Sequence, residues 1–358
     1  MAVFKPENVE DFYEIGEILG SGHFGQVRLV CERSSRTNYA GKFVKIRKSA
    51  CSRLGQDRGS LEREVEILHL LQHPNIIFLK DVFECRAELV LILEFVSGGE
   101  LFDFIAEKEV LLESEAITFM KQILEGLRFM HGKNIAHFDL KPENIMLSDK
   151  SAPNPTIKLI DFGLAHRFLP DEEYKCSSGT PQYLAPEVIN SEPLTTAADM
   201  WSIGVITYIL ISGLSPFQGD NDDETLLNVL ATKYEFYDQY FSNTSSMAKG
   251  FIDRLLVKDS NERMTAEDCL HHPWIKPITR KQMARRNRSS INMKSFKRFN
   301  ARRKWKMSYN MVRMCNRLFQ ACKGRSDSDS LQRQCESDVE DTETKPASLL
   351  RRRLSSSS

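Results

Sequence analysis

Within six residues, Asp139-Leu140-Lys141-Pro142-Glu143-Asn144 brings together a carboxylate, an ammonium group and an amide oxygen. A carboxylate at Asp139 can accept the proton of an attacking hydroxyl, and Lys141 can steady a transferring phosphoryl group. The amide oxygen of Asn144 can bind a hard cation. Twenty-two residues after Asp139, Asp161-Phe162-Gly163 follows the short apolar run Ile157–Ile160, and that carboxylate suits Mg2+. Magnesium sites of this type use one or two carboxylates and complete their shell with nucleotide phosphates.

Upstream lies a glycine-rich stretch, Leu19-Gly20-Ser21-Gly22-His23-Phe24-Gly25-Gln26-Val27. Glycines let a backbone approach phosphates closely, but a glycine-rich hairpin is common and weak evidence alone. A dinucleotide-binding turn would lead into a helix, whereas Val27–Val30 continues as strand. Lys42 sits in the following strand, and Glu64, on a predicted helix, is its natural partner. Taken singly, each reads as an ordinary exposed charge. Glu187, in Ala185-Pro186-Glu187, and Arg263 are expected to form a buried ion pair with no part in chemistry.

In order and spacing, these elements resemble the eukaryotic protein-kinase signature set across residues 13–275. The resemblance implies ATP and Mg2+ as cofactors. Leu19 to Val27 would cover the ATP phosphates, and Lys42, oriented by Glu64, would hold the α- and β-phosphates. Asp139 would accept the substrate proton, Lys141 would steady the γ-phosphoryl, and Asn144 and Asp161 would hold the metal. Leu93-Glu94-Phe95-Val96 resembles the hinge, so backbone groups of Glu94 and Val96 are expected on the adenine. Lys141 with Gly179-Thr180-Pro181 looks like the serine/threonine branch. Glu100 and Glu143 stand where basophilic kinases meet an arginine upstream of the target, with solvated loop charge as the alternative. A pseudokinase would be the rival, yet Lys42, Asp139, Asn144 and Asp161 are all present.

The elements that must position these residues follow from periodicity. Phe12–Leu19, Val27–Glu32, Tyr39–Lys45 and Leu89–Phe95 read as strands, with one helix at Leu61–Leu71. Helical patterns dominate from Gly98, at Ala116–His131, Ala198–Ser212 and Met247–Leu256. The expected class is α+β: a bilobal kinase fold with a small β-rich lobe (about 13–95) and a larger α-helical lobe (about 96–275). Residues 1–12 would precede it, 276–323 would be an autoinhibitory, calmodulin-binding segment, and 324–358 a disordered tail. No apolar run reaches the ~20 residues of a membrane span. Eight scattered cysteines without a CxxC pair make disulfides and zinc poor readings, and a cytoplasmic location is expected.

A net charge of zero hides a strong polarity. Residues 269–326 carry seventeen Lys/Arg and no Asp or Glu, whereas residues 1–268 carry 27 basic and 42 acidic groups. Tethered blocks of opposite sign attract each other. Within the basic block, Arg302, Arg303, Lys304 and Lys306 surround Trp305, and Trp305, Tyr309, Val312 and Leu318 lie along one broad helical face. A basic amphipathic helix with an aromatic anchor suits calmodulin. The spacing alone leaves a membrane surface, nucleic acid or a solvated helix open. Position after a kinase domain favours calmodulin over nucleic acid.

His137-Phe138-Asp139, Gly98-Gly99-Glu100-Leu101-Phe102-Asp103-Phe104 and Arg303-Lys304-Trp305-Lys306 resemble the calcium/calmodulin-regulated death-associated protein kinases. The chain departs from them at Gly25, often alanine there, at Cys176-Ser177-Ser178, and in a basic loop thinned to Lys45, Arg47, Lys48, Arg53 and Arg58. The resemblance implies a tail that lies over the cleft until Ca2+-loaded calmodulin removes it. It implies an autophosphorylated Ser308, whose phosphate would weaken the hold of calmodulin. Ser289, after Arg286 and Arg288, is a candidate target of another basophilic kinase. Ser355–Ser358 after three arginines is a candidate dock for a phosphoserine-binding adaptor. Homodimerisation through the tail, myosin light chain as a substrate class, and roles in apoptosis and autophagy are further implications.

Many kinases place arginine before the catalytic aspartate to grip a phosphate on the activation segment; here the residue is Phe138. A Ser177→Ala/Ser178→Ala double variant is therefore expected to keep full phosphate-transfer activity, and peptide assays of the tail-less form would detect any loss.

Overall fold

The computed structural model describes residues 4–22, 25–47, 55–85 and 88–326. His23, Phe24, Lys48, Arg53 and the tail from residue 327, including Ser355–Ser358, lie outside the described residues. So do the side chains of Ser21, Gly22, Val312 and Leu318. The chain divides into a compact unit ending at Phe296 and a second unit beginning at Lys297.

In the first unit, β1 (Tyr13–Gly22), β2 (Gly25–Glu32), β3 (Asn38–Lys45), β4 (Leu79–Cys85) and β5 (Glu88–Glu94) form an antiparallel sheet of order β1-β2-β3-β5-β4. β4 has no counterpart among the sequence-predicted strands. Lys80, Asp81 and Glu84 break its apolar pattern, and the register slips between Leu79 and Asp81. Its Phe83 nevertheless joins Tyr13, Val30, Val90 and Ile92 in the core beneath the sheet. Tyr13 meets Phe83 edge-on, with centroids 5.9 Å apart.

The helices are α1 (Val9–Phe12), α2 (Arg58–Leu70), α3 (Leu101–Glu107), α4 (Glu113–His131), α5 (Pro186–Ile189), α6 (Ala197–Ser212), α7 (Asp222–Ala231), α8 (Asp238–Phe241), α9 (Ser246–Asp253), α10 (Ala266–His271), α11 (Arg280–Arg288) and α12 (Met293–Ser326). Two small pairings complete the strands: β6 (Ile135–Ala136) with β9 (His166–Arg167), and β7 (Ile145–Leu147) with β8 (Ile157–Leu159). α2 starts where the Asp57 carboxylate accepts from Ser60 N at 3.0 Å, a side-chain cap. Its buried face is Leu61, Glu64, Val65 and Leu68, so a single carboxylate is carried inward on an apolar stripe. α6 is apolar on all sides and buried from Ala198 to Ser212. Thr207 and Ser212 satisfy their hydroxyls on the helix itself, donating to Ile203 O and Tyr208 O at 2.7 Å each.

Residues beyond α10 remain part of the first unit. Ile291 N donates to Leu111 O at 2.9 Å, Asn292 N donates to Ile211 O at 3.0 Å, and the Phe296 ring lies 5.1 Å from Phe102. Gly213 ends α6 in the left-handed region (φ 68°), and a Cβ there would strike the backbone of Ser295 and Phe296. Glycine therefore serves both the turn and the close approach. In the second unit, α12 continues from Lys297 to Ser326, and Trp305 stacks on Tyr309 with centroids 5.3 Å apart.

Glu187 and Arg263 meet in a two-pronged ion pair at 2.7 and 3.0 Å, with the Arg263 side chain wholly buried. Arg263 also donates to Ala197 O and Val257 O, so the cation is saturated. Glu187→Ala would leave it buried without its counter-charge. Stability is expected to fall by about 3–5 kcal/mol, read from the shift in urea denaturation.

Candidate active site

Strand register brings the first cluster together. β3 places Lys42 opposite Val27 of β2 and Leu91 of β5. Its Nζ lies 2.7 Å from Glu64 Oε1 and 3.6 Å from Asp161 Oδ1. Glu64, expected by default to face solvent, is only 3% exposed. Burial works against the Lys42 charge, but Glu64 and Asp161 outweigh it and hold the ammonium above its ordinary range. Burial likewise opposes the Asp161 charge, and Lys42, His137 and Lys141 overcome it, keeping that carboxyl below the usual range. One ammonium thus lies between two carboxylates.

The loop after β6 carries the second cluster. Asp139 Oδ2 accepts from Lys141 Nζ at 2.6 Å and from Asn144 Nδ2 at 3.0 Å. Asn144 Nδ2 also donates to Asp139 O at 2.7 Å, which commits the amide nitrogen inward and leaves its oxygen as the acceptor. Phe138 (φ 62°) and Asp161 (φ 61°) both hold left-handed backbones, a strain that surrounding contacts must sustain.

Asp199 supplies that support at Phe138, and sequence reading did not single it out. Its carboxylate, in the first turn of α6, accepts from His137 N at 2.8 Å, Phe138 N at 2.9 Å and His131 Nε2 at 2.9 Å. A lone aspartate opening an otherwise apolar helix was the available signal. His137 adds a second tie: its Nε2 bonds Ile160 O at 3.0 Å, and its ring packs 4.8 Å from Phe162. The Asp139 and Asp161 loops are thereby held together.

Between the clusters is a cleft of about 280 Å³ lined by Gln26, Val27, Lys42, Val44, Asp139 and Asp161. The motif glycines differ in role. A Cβ on Gly20 would meet nothing within 4 Å, whereas one on Gly25 would fall on the Phe43 carbonyl oxygen. Gly25 is thus required by strand packing and also lines the cleft, while Gly20 has open space around it. At the hinge, Glu94 N donates to Phe78 O at 2.9 Å and its carboxylate pairs with Lys158 at 2.8 Å. Its carbonyl is the group it can offer to a base. Val96 makes no backbone bond to a described residue. Glu100 precedes α3, Glu143 lies in the single turn Pro142–Asn144, and neither lines this cleft. Leu19 lies in β1, 42% exposed. Ser289 caps α11, its hydroxyl donating to Arg285 O at 3.0 Å, and Ser308 lies in α12.

Among the described residues, no group of three or more His, Cys, Asp or Glu is placed to hold a metal. An oxygen pair from Asn144 and Asp161 fits a cation whose remaining ligands are phosphates and water, the pattern of Mg2+ beside a nucleotide.

A five-stranded sheet over a helical lobe, with these two charge clusters facing one cleft, defines a protein kinase. The protein kinase domain family matches residues 13–275. Death-associated protein kinase 2 of Mus musculus is 53% identical over 361 residues, covering 100% of this chain and 97% of that protein, and the Homo sapiens protein of that name is 52% identical. Among solved structures, a twitchin kinase fragment of Caenorhabditis elegans, described as an autoregulated protein kinase, is 41% identical with a TM-score of 0.77, covering 86% of this chain and 66% of that one. The chain belongs to the death-associated protein kinases and is a serine/threonine protein kinase. The family implies use of ATP and Mg2+.

Burial disfavours the Asp199 charge, but its hydrogen bonds prevail and hold its carboxyl below the usual range. Its ionised form therefore stabilises the fold above about pH 4, and that gain is lost as pH falls through its folded-state value. Asp199→Asn should lower kcat by roughly 10- to 100-fold through misplacement of Asp139, with little change in KM for ATP. It should also flatten the acid limb of the stability profile, measured by thermal melts across pH.

Proposed function

We propose that the chain transfers the ATP γ-phosphoryl group to serine or threonine of protein substrates under calcium/calmodulin control, with the basic helix after Phe296 as its brake. Asp139 takes the proton of the substrate hydroxyl as its oxygen attacks in line, and Lys141 steadies the transferring group. Lys42, held by Glu64, orients the α- and β-phosphates, and Asn144 with Asp161 holds the metal. When bound, ATP would supply the phosphoryl group and leave as ADP, and Mg2+ would neutralise the charge that develops. Positioning and fixed electrostatics carry the rate. The convergence of Glu64 and Asp161 within 3.6 Å of the Lys42 ammonium is the observation on which this catalytic reading rests.

Regulation is supported by charge and by the helix itself. Residues 1–268 are strongly acidic, and 269–326 hold seventeen cations and no acid. Arg302, Arg303, Lys304 and Lys306 lie on α12 beside the stacked Trp305 and Tyr309, an aromatic anchor of the kind that calmodulin grooves accept. The twitchin relative is itself described as autoregulated. Homodimerisation, Ser308 as a phosphosite and myosin light chain as substrate extend this reading from the family, and a cytoplasmic location and Ser289 as a phosphosite extend it from the cysteine pattern and from Arg286 and Arg288. Among the described residues, no helix is long and apolar enough to cross a membrane.

The test is phosphate transfer to a basic serine peptide, with and without Ca2+/calmodulin, by the full chain and by residues 1–296. The full chain should be slow until calmodulin is added and the short form constitutively active. A full chain indifferent to calmodulin would leave the kinase standing and remove the switch, returning the basic helix to a membrane or nucleic-acid role.

A further inference from the structure

Phe138 occupies the position from which an arginine would grip an activation-segment phosphate, and its ring is not idle. It lies 5.8 Å from Tyr174 in a stack inclined by 27°, and 6.0 Å edge-on from Phe168. Tyr174 in turn stacks on His166 with centroids 3.6 Å apart and planes 7° from parallel. His166 meets Phe168 edge-on at 5.3 Å. Four rings therefore interlock, three from the segment after Asp161-Phe162-Gly163 and one from the residue that precedes Asp139.

Each ring is also tied to a fixed part of the lobe. The Tyr174 carbonyl accepts from Leu194 N at 2.9 Å, and Phe168 N donates to Asn134 O at 2.8 Å. His166 pairs with Ala136 across the β6–β9 ladder, and its Nε2 lies 3.1 Å from Glu172 Oε1. Glu172 also accepts from Leu169 N at 3.0 Å, so the turn between Phe168 and Tyr174 is closed on itself. Phe138 N is held by Asp199 while its backbone stays left-handed. A side chain in that conformation keeps its place only if its surroundings fix it, and Tyr174, stacked, and Phe168, edge-on, are the rings packed against it.

We infer that Tyr174 is a positioning residue: it completes an aromatic clamp that sets Phe138, and through it the neighbouring Asp139, without any phosphate. The inference rests on the reading of Asp139 as the proton acceptor. Aromatic pairs contribute through ring area and quadrupole, neither of which needs the tyrosine hydroxyl. Nor does salt screen such contacts as it screens exposed ion pairs. The clamp thus supplies, permanently, the order that an arginine–phosphate pair supplies on demand.

The experiment compares full-length wild type, Tyr174→Ala and Tyr174→Phe in the presence of Ca2+/calmodulin, with a basic serine peptide. Tyr174→Ala should lower kcat by about tenfold, the order expected for one lost aromatic stack, with KM for ATP within about twofold of wild type. Tyr174→Phe should restore kcat to within about twofold. Amide hydrogen exchange, which needs no turnover, is the second arm: Tyr174→Ala should speed exchange across residues 134–144 and leave β1–β5 unchanged. Unaltered exchange there, or a Tyr174→Phe protein as impaired as Tyr174→Ala, overturns the clamp. Loss of turnover in Asp139→Ala, tested alongside, probes the catalytic reading separately. An active Asp139→Ala with an exchange-sensitive Tyr174→Ala would remove the base and keep the clamp.

Discussion

A carboxylate without access to water persists only when hydrogen bonds replace its hydration. Asp199 is fully buried, and its two oxygens are taken by His131, His137 and Phe138. Two of these donors are consecutive backbone N–H groups of the loop that carries Asp139. The loop therefore cannot relax its left-handed turn at Phe138 without abandoning a charge in the interior. α6 is suited to impose this because it is itself immobilised, buried on every side from Ala198 to Ser212. Catalytic geometry here is inherited from a hydrophobic helix that never faces the cleft.

Lys42 and Asp161 are constrained by a different route. Glu64 enters the interior on the apolar face of α2, and the Lys42 ammonium is what makes its burial tolerable. The pair fixes the distance between α2 and β3, while His137, bonded to Ile160 O and packed on Phe162, fixes Asp161 relative to Asp139. Two networks, one ionic and one built on hydrogen bonds and rings, thus meet across a single cleft. The Tyr174 cluster extends the second network into the activation segment.

Much of this was readable beforehand. Motif residues reveal themselves by type and spacing because phosphoryl transfer needs a base, cations and metal ligands within a few residues of one another. Strands were legible at β1, β2, β3 and β5, the last as a short apolar run that the structure buries from Leu89 to Ile92. β4 escaped because Lys80, Asp81 and Glu84 interrupt its pattern around a bulge, and its place is settled by pairing with β5. Glu64 was legible as a partner for Lys42 but not as a buried group, since burial depends on what α2 packs against.

The sequence alone determined the chemistry: which side chains are available, in what order, and the opposite charges of residues 1–268 and 269–326. Those are properties of residue type and local spacing. Tertiary structure decided which groups meet across long separations, because such contacts depend on packing that no local window contains. Asp199 reaches His137 from 62 residues away, and Arg263 reaches Glu187 from 76. It also gave Gly25 a strand-packing role, and turned Phe138 from a missing arginine into one of four interlocked rings.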